Sequence, residues 1–173
     1  MRTRLNVLLV ALLLGSGLFT TPLSAQTPPE DPDLLYATEL LSPGTPVPDF
    51  SLEDINGKKV RLSDFKGQKL VLVFWASWCP DCRAEVPALK AMQAAAPDVA
   101  FVSISFDRSF DAFKQYVQDN ALGGVQLFDP AGKKESAVAA AFHVKWIPSL
   151  YLVGADGRVL LATVVAEKIA RAL

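Results

Sequence analysis

The chain contains two cysteines, Cys79 and Cys82, and both lie in one short stretch, FWASWCPDCRAEVP, residues 74–87. Ahead of them runs KLVLVFW (69–75), a compact apolar segment rich in β-branched and aromatic residues. Such a segment predicts a strand buried on both faces. Behind them, residues 83–96 suit a helix, with Ala84, Ala88, Leu89 and Met92, and with Pro87 inside it to kink it. The cysteines therefore sit where a strand gives way to a helix. A disulfide between them would close a loop of four residues, and so short a loop gains little stability from loop-closure entropy. The pair reads as chemistry rather than as a staple. Zinc sites also use C-x-x-C, but usually with a second pair or added histidines; this chain has no second pair and one histidine, His143.

A helix start exposes unpaired backbone N–H groups and the positive end of the macrodipole. Both stabilise a thiolate, the form in which cysteine is a nucleophile. Cys82, three residues on, is a helical neighbour of Cys79. The first sulfur can then attack a disulfide to form a mixed disulfide, and the second can attack that bond and release the reduced product. Between them stand Pro80, which suits a first helical turn, and Asp81, whose charge favours the helix start but disfavours a neighbouring thiolate.

The N-terminus, MRTRLNVLLVALLLGSGLFTTPLSAQ, has the layout of a signal peptide over residues 1–25: Arg2 and Arg4, then an apolar run, then Ser24-Ala25 before the cut. The apolar run falls short of the ~20 residues a membrane span needs, so cleaved export to the periplasm or cell envelope is expected over an uncleaved anchor. Export implies an oxidising compartment. Residues 26–45, rich in Pro, Thr, Ser and acidic side chains, read as a linker with one helical turn near 34–41. Residues 46–173 are expected to form one domain, and a 51% hydrophobic composition supplies its core. A net charge of −1 without a basic stripe argues against nucleic-acid binding.

Within the domain, two alternating segments flank Asn56-Gly57, a hairpin signal. Strands are expected at 99–106, 125–128, 149–153 and 158–164. Helices are expected at 109–120, 134–142 and 165–173. Strands alternating with helices, closed by a final hairpin, indicate an α/β domain with a central mixed sheet flanked by helices.

FWASWCPDCRAEVP resembles the active-site stretch of thioredoxin-like proteins, especially the exported TlpA/ResA branch. The resemblance runs from about Pro46 to Leu173 and takes in the N-terminal β-hairpin, the W-C-x-x-C turn, Pro87 and VKWIPSLYLVGADGRVL. It implies a thioredoxin-like fold and a thiol-disulfide oxidoreductase of the cell envelope, most often a reductase of protein disulfides. It also implies a redox-active Cys79–Cys82 pair, substrates such as apocytochromes or oxidase-assembly proteins, and a membrane thiol-relay protein as electron donor. No cofactor or metal is expected, and the chain is expected to be monomeric. In the family the proline matching Pro148 is cis and lies against the cysteines. Ile147 before it would offer backbone groups to a substrate segment, with Trp78 and Trp146 lining the same groove. Glu85, one helical turn past Cys82, matches an acidic position thought to tune the cysteines. It would accept the proton of Cys82, or else be a solvent-facing helix carboxylate. Thioredoxin's buried Asp in the preceding strand is here Val73.

Two other chemistries share the scaffold. A peroxiredoxin-like thiol peroxidase would need a P-x-x-x-T/S-x-x-C context, and VFWASW before Cys79 lacks it. A Sco-like copper protein would use Cys79, Cys82 and His143 as soft ligands, but with three residues between its cysteines rather than two.

Overall fold

The structure, a computed structural model, describes residues 30–173. The expected signal peptide lies outside them. Among the described residues, no helix is long and apolar enough to cross a membrane.

One turn of helix, α1 (Asp33–Tyr36), precedes the hairpin β1 (Ser51–Asp54) and β2 (Lys59–Arg61). The chain continues through β3 (Leu70–Trp75), α2 (Pro80–Ala95), β4 (Ala100–Ser105), α3 (Phe110–Asp119) and β5 (Val125–Phe128). Two short helices, α4 (Gly132–Glu135) and α5 (Ala137–Ala141), lead to β6 (Ser149–Val153), β7 (Val159–Thr163) and α6 (Ala166–Ala172). The strands form one mixed sheet in the order β2-β1-β5-β4-β3-β6-β7. The three inner strands β5, β4 and β3 run parallel, and the outer pairs are antiparallel.

β3 is an inner strand, between β4 and β6, and is buried along its whole length. Alternation sends Phe74 and Trp75 to opposite faces. Phe74 packs with Phe142 and Tyr151, at ring separations of 5.2 and 6.0 Å. Trp75 packs with Phe113 and Tyr116 of α3, at 6.4 and 5.4 Å. Each face thus has its own aromatic cluster, which accounts for the unbroken apolar run.

The helix expected over 134–142 is two helices. Alanine content alone favours a continuous helix, but Ser136 stands at ψ 118° and caps α5, accepting from Ala139 N at 2.8 Å while donating to the buried Asp129 carboxylate. A side chain that bonds local backbone in a non-helical conformation ends a helix and starts the next. The helix expected from residue 83 starts earlier, at Pro80. The helical turn expected near 34–41 is Asp33–Tyr36.

Of the stretch read as a linker, residues 30–45 lie against the domain. The Asp33 carboxylate accepts from Thr163 Oγ1 and Val164 N, each at 2.8 Å, and Lys168 Nζ reaches Asp31 and Asp33 at 2.6 Å. Leu41 N donates to the buried Tyr151 hydroxyl at 3.1 Å, which donates in turn to Phe142 O. Burial pushes this phenol up to about 12, only partly offset by the Leu41 N–H.

Candidate active site

Three chain segments meet at the C-terminal end of β3, and strand register brings them together. Antiparallel pairing matches Phe74 with Ser149, so the residues just before Ser149, Ile147 and Pro148, lie beside the turn that follows β3. Parallel pairing matches Trp75 with Ser105, and Phe106 N donates to Trp75 O at 2.9 Å. Asp107 therefore lies beside Ser77.

Cys79 is the N-cap of α2, with extended backbone (φ −83°, ψ 116°), and Pro80 takes the first helical position. Its sulfur does what an N-cap oxygen does elsewhere: it accepts from Cys82 N at 3.3 Å. The Cys79 thiol donates to Ile147 O at 3.4 Å. The Ile147–Pro148 bond is cis. Both cysteines are free thiols. Only 4% of Cys79 is exposed, next to Trp78, which is 49% exposed. The surface at this point is therefore a narrow sulfur site beside a broad indole.

Cys82 is buried, and burial pushes its thiol well above the ordinary cysteine range; the Cys79 sulfur and the Asp81 charge add to the shift, while Ala76 backbone opposes it. Two sulfurs three residues apart are thereby unequal. Both are buried, but one accepts a helix N–H as the N-cap of α2 and the other has its thiol raised by burial.

Glu85 is half-buried. Burial raises its carboxyl, the Ala166 backbone N–H lowers it, and Glu167 raises it. The polar neighbours of Glu85 thus lie on α6, whereas those of Cys82 are Cys79, Asp81 and the Ala76 backbone. A carboxyl raised in the folded state binds its proton more tightly there than in the unfolded chain. It therefore costs stability as pH rises from the ordinary glutamate range through the raised value. Glu85→Gln removes that cost. The variant's thermal midpoint is expected above the parent's at pH 7, with the gap closing below the ordinary glutamate range. Parallel melts across pH 3–8 check it; a gap independent of pH refutes the assignment.

Trp146 is partly exposed, but its ring stacks on Tyr36 of α1 at 4.2 Å. The N-terminal segment thus covers part of the surface expected to meet substrate. His143 has a positive φ of 55° and its Nδ1 lies 3.1 Å from Glu39 O. Among the described residues, no group of three or more His, Cys, Asp or Glu is placed to hold a metal ion.

Two features of the site were not foreseen. The first is Asp107, 2% exposed. Its carboxylate accepts from Ser77 N (3.1 Å), Ser77 Oγ (2.6 Å) and Ser105 Oγ (2.7 Å), which pins the turn two residues before Cys79. The sequence signal was a polar SFD step at the end of an apolar strand. The second is a cavity of about 30 Å³ behind Cys82, lined also by Trp75, Gln126 and Pro148. Trp75 Nε1 and Gln126 Oε1, both buried, have no protein partner. One donor and one acceptor facing a space of this size are what a single bound water satisfies.

Comparison with known proteins places this geometry. The AhpC/TSA family model matches residues 43–162. The thiol-disulfide oxidoreductase ResA of Bacillus subtilis is 30% identical over 124 residues, 70% of this chain and 67% of that protein. The thiol:disulfide interchange protein DsbE of Vibrio cholerae is 34% identical over 154 residues, 86% of this chain and 78% of that protein. Among solved structures, a thiol-disulfide oxidoreductase from Bacteroides fragilis superposes with a TM-score of 0.67 at 25% identity, covering 75% of this chain and all of the other.

Proposed function

The chain belongs to the AhpC/TSA family of thioredoxin-like proteins and is a thiol-disulfide oxidoreductase, and on that premise we propose that it reduces protein disulfides through Cys79 and Cys82. The observation that carries this reading is the inequality of the two sulfurs. Both are buried, but Cys79 caps α2 and accepts a helix N–H beside the exposed Trp78, whereas burial raises the Cys82 thiol.

The steps balance as follows. The Cys79 thiolate attacks one sulfur of the substrate disulfide. That S–S bond breaks, the departing thiolate takes a proton from solvent, and a mixed disulfide joins Cys79 to the substrate. Cys82 then loses its proton and attacks the Cys79 sulfur. The second substrate thiolate leaves and is protonated, and a Cys79–Cys82 disulfide remains. Two electrons have passed from the dithiol to the substrate. For the transfer of the Cys82 proton we assign Glu85 on its sequence position, one helical turn away, although its polar neighbours in the fold lie on α6; Glu85→Gln then slows the second step and not the first.

During the first step a substrate strand would pair with the Ile147 backbone, with Pro148, Trp78 and Trp146 shaping the surface around it. We place the protein in the cell envelope, exported by a cleaved signal peptide, acting as a monomer without cofactor. Its substrates would be apocytochromes or oxidase-assembly proteins, and a membrane thiol-relay protein would return it to the dithiol. The signal-like residues 1–25 and the disulfide-forming compartment they imply support this setting.

The test is the equilibrium reduction potential of the pair against glutathione, alongside turnover of a protein disulfide. A value near the roughly −270 mV of thioredoxin supports a reductant, and one near the roughly −120 mV of the strongest oxidants on this fold reverses the direction. Thiol-dependent turnover of peroxide at a comparable rate would favour the peroxidase reading instead.

A further inference from the structure

The redox turn borders a groove that its chemistry does not use. Trp78 forms one wall, with Phe106 and Arg108 beside it, and Lys133 and Lys134 of α4 form the other, around a volume of about 420 Å³. A second groove of about 260 Å³ shares Lys133 and Lys134 and continues to Lys145. Lys133 Nζ donates to Lys145 O at 2.7 Å, tying α4 to the segment that leads through Trp146 to Ile147. Four cationic side chains thus line one continuous path along the site. It begins at the residue before Cys79 and ends two residues before the carbonyl that meets the Cys79 sulfur.

The chain as a whole is nearly neutral, at −1, so this concentration is local. Among the described residues the ion pairs lie elsewhere, at Lys168 and Arg171. Arg108, Lys134 and Lys145 are exposed and, among the described residues, have no carboxylate within salt-bridge reach. The one acidic side chain in the lining, Asp107, is buried and turned to Ser77 and Ser105. Asp81 and Glu135 are exposed nearby in sequence but line neither groove. Clefts lined by one sign of charge focus the field and raise the encounter rate of the opposite sign.

We propose that this path is a docking groove for an acidic polypeptide segment flanking the substrate's disulfide. The indole of Trp78 packs on the residue next to the cystine, and the cations hold carboxylates further along. The groove thereby selects among protein disulfides by the charge of their flanks. This rests on the reductase reading above and adds the substrate class to it.

The test uses the reduced protein and three disulfide-closed peptides of one length, flanked by Glu and Asp, by Ser, or by Lys. The acidic peptide is expected to be reduced about tenfold faster than the basic one at low ionic strength, and the gap to shrink as salt is raised. Arg108→Glu with Lys134→Glu is expected to reverse the order. Equal rates for all three peptides, or a preference that salt does not touch, overturns the groove. So does tighter binding of a single-stranded oligonucleotide than of the acidic peptide. The salt series on the parent protein decides the matter if the double variant folds poorly. Hydroxyethyl disulfide, small and uncharged, separates the two levels. If it is reduced while the peptides are not distinguished, only the groove falls; if it is not reduced either, the reductase reading falls as well.

Discussion

With Cys82 replaced by serine, the protein is expected to capture its substrate and hold it. Cys79 still attacks, the first substrate thiolate still leaves, and no second sulfur follows. Steady-state turnover drops by roughly a thousandfold or more, as for loss of a nucleophile elsewhere, while a covalent adduct accumulates toward one per chain. Cys79→Ser loses turnover to a similar degree and forms no adduct. The asymmetry follows from position: both sulfurs are buried, but Cys79 caps α2 and takes the Cys82 N–H, whereas Cys82 lines the cavity behind the turn and burial raises its thiol. Non-reducing electrophoresis and intact mass after exposure to a disulfide peptide read the result. Adduct on Cys79→Ser and none on Cys82→Ser would invert the order of attack.

The parts of this arrangement that sequence reveals are those fixed by neighbours in the chain. The burial of β3 follows from six apolar residues in a row, because an inner strand has core on both sides. The hairpin follows from Asn56-Gly57, with Gly57 at φ 79° and the Asp54 carboxylate accepting from Asn56 N and Lys58 N. The start of α3 follows from Ser109, whose Oγ accepts from Ala112 N. Even the chemistry follows, since the spacing of Cys79 and Cys82 needs only one helical turn.

What stays hidden depends on partners far along the chain. Ser136 breaks a helix because Asp129 stands ready to take its hydroxyl, and nothing in an alanine-rich run announces that. The segment 30–45 docks because Asp33 meets Thr163, 130 residues later; its composition is that of a linker, and its placement is decided by polar contacts to β6, β7 and α6 far along the chain. Trp146 looks free in sequence and is stacked on Tyr36. The cationic path is invisible for the same reason. Arg108, Lys133 and Lys145 are scattered in the chain and converge only because the end of β4, α4 and the approach to β6 meet at the end of the sheet where β3 finishes.

Asp107 is where such a distant contact has the largest consequence. Replacing it with alanine strands three buried or half-buried donors, Ser77 N, Ser77 Oγ and Ser105 Oγ. Orphaning donors that had a carboxylate acceptor costs about 1–3 kcal/mol each where water does not reach them. With partial hydration of the surface-facing Ser77, a net loss of about 3 kcal/mol is expected, or roughly 10 °C in thermal midpoint for a domain of this size. The second effect is on chemistry. Ser77 lies two residues before Cys79, and once its backbone is released the sulfur loses its alignment with Ile147 O. Displacement of a reacting atom by about 1 Å costs up to a hundredfold in rate, so single-turnover attack on a peptide disulfide should slow by one to two powers of ten. Ser77→Ala separates the two roles: it removes one hydroxyl, leaves Ser77 N and Ser105 Oγ on the carboxylate, and should cost about 1 kcal/mol with little change in rate. If Asp107→Ala melts lower but attacks disulfides as fast as the parent, the carboxylate holds up the fold alone and the turn before Cys79 is positioned by something else.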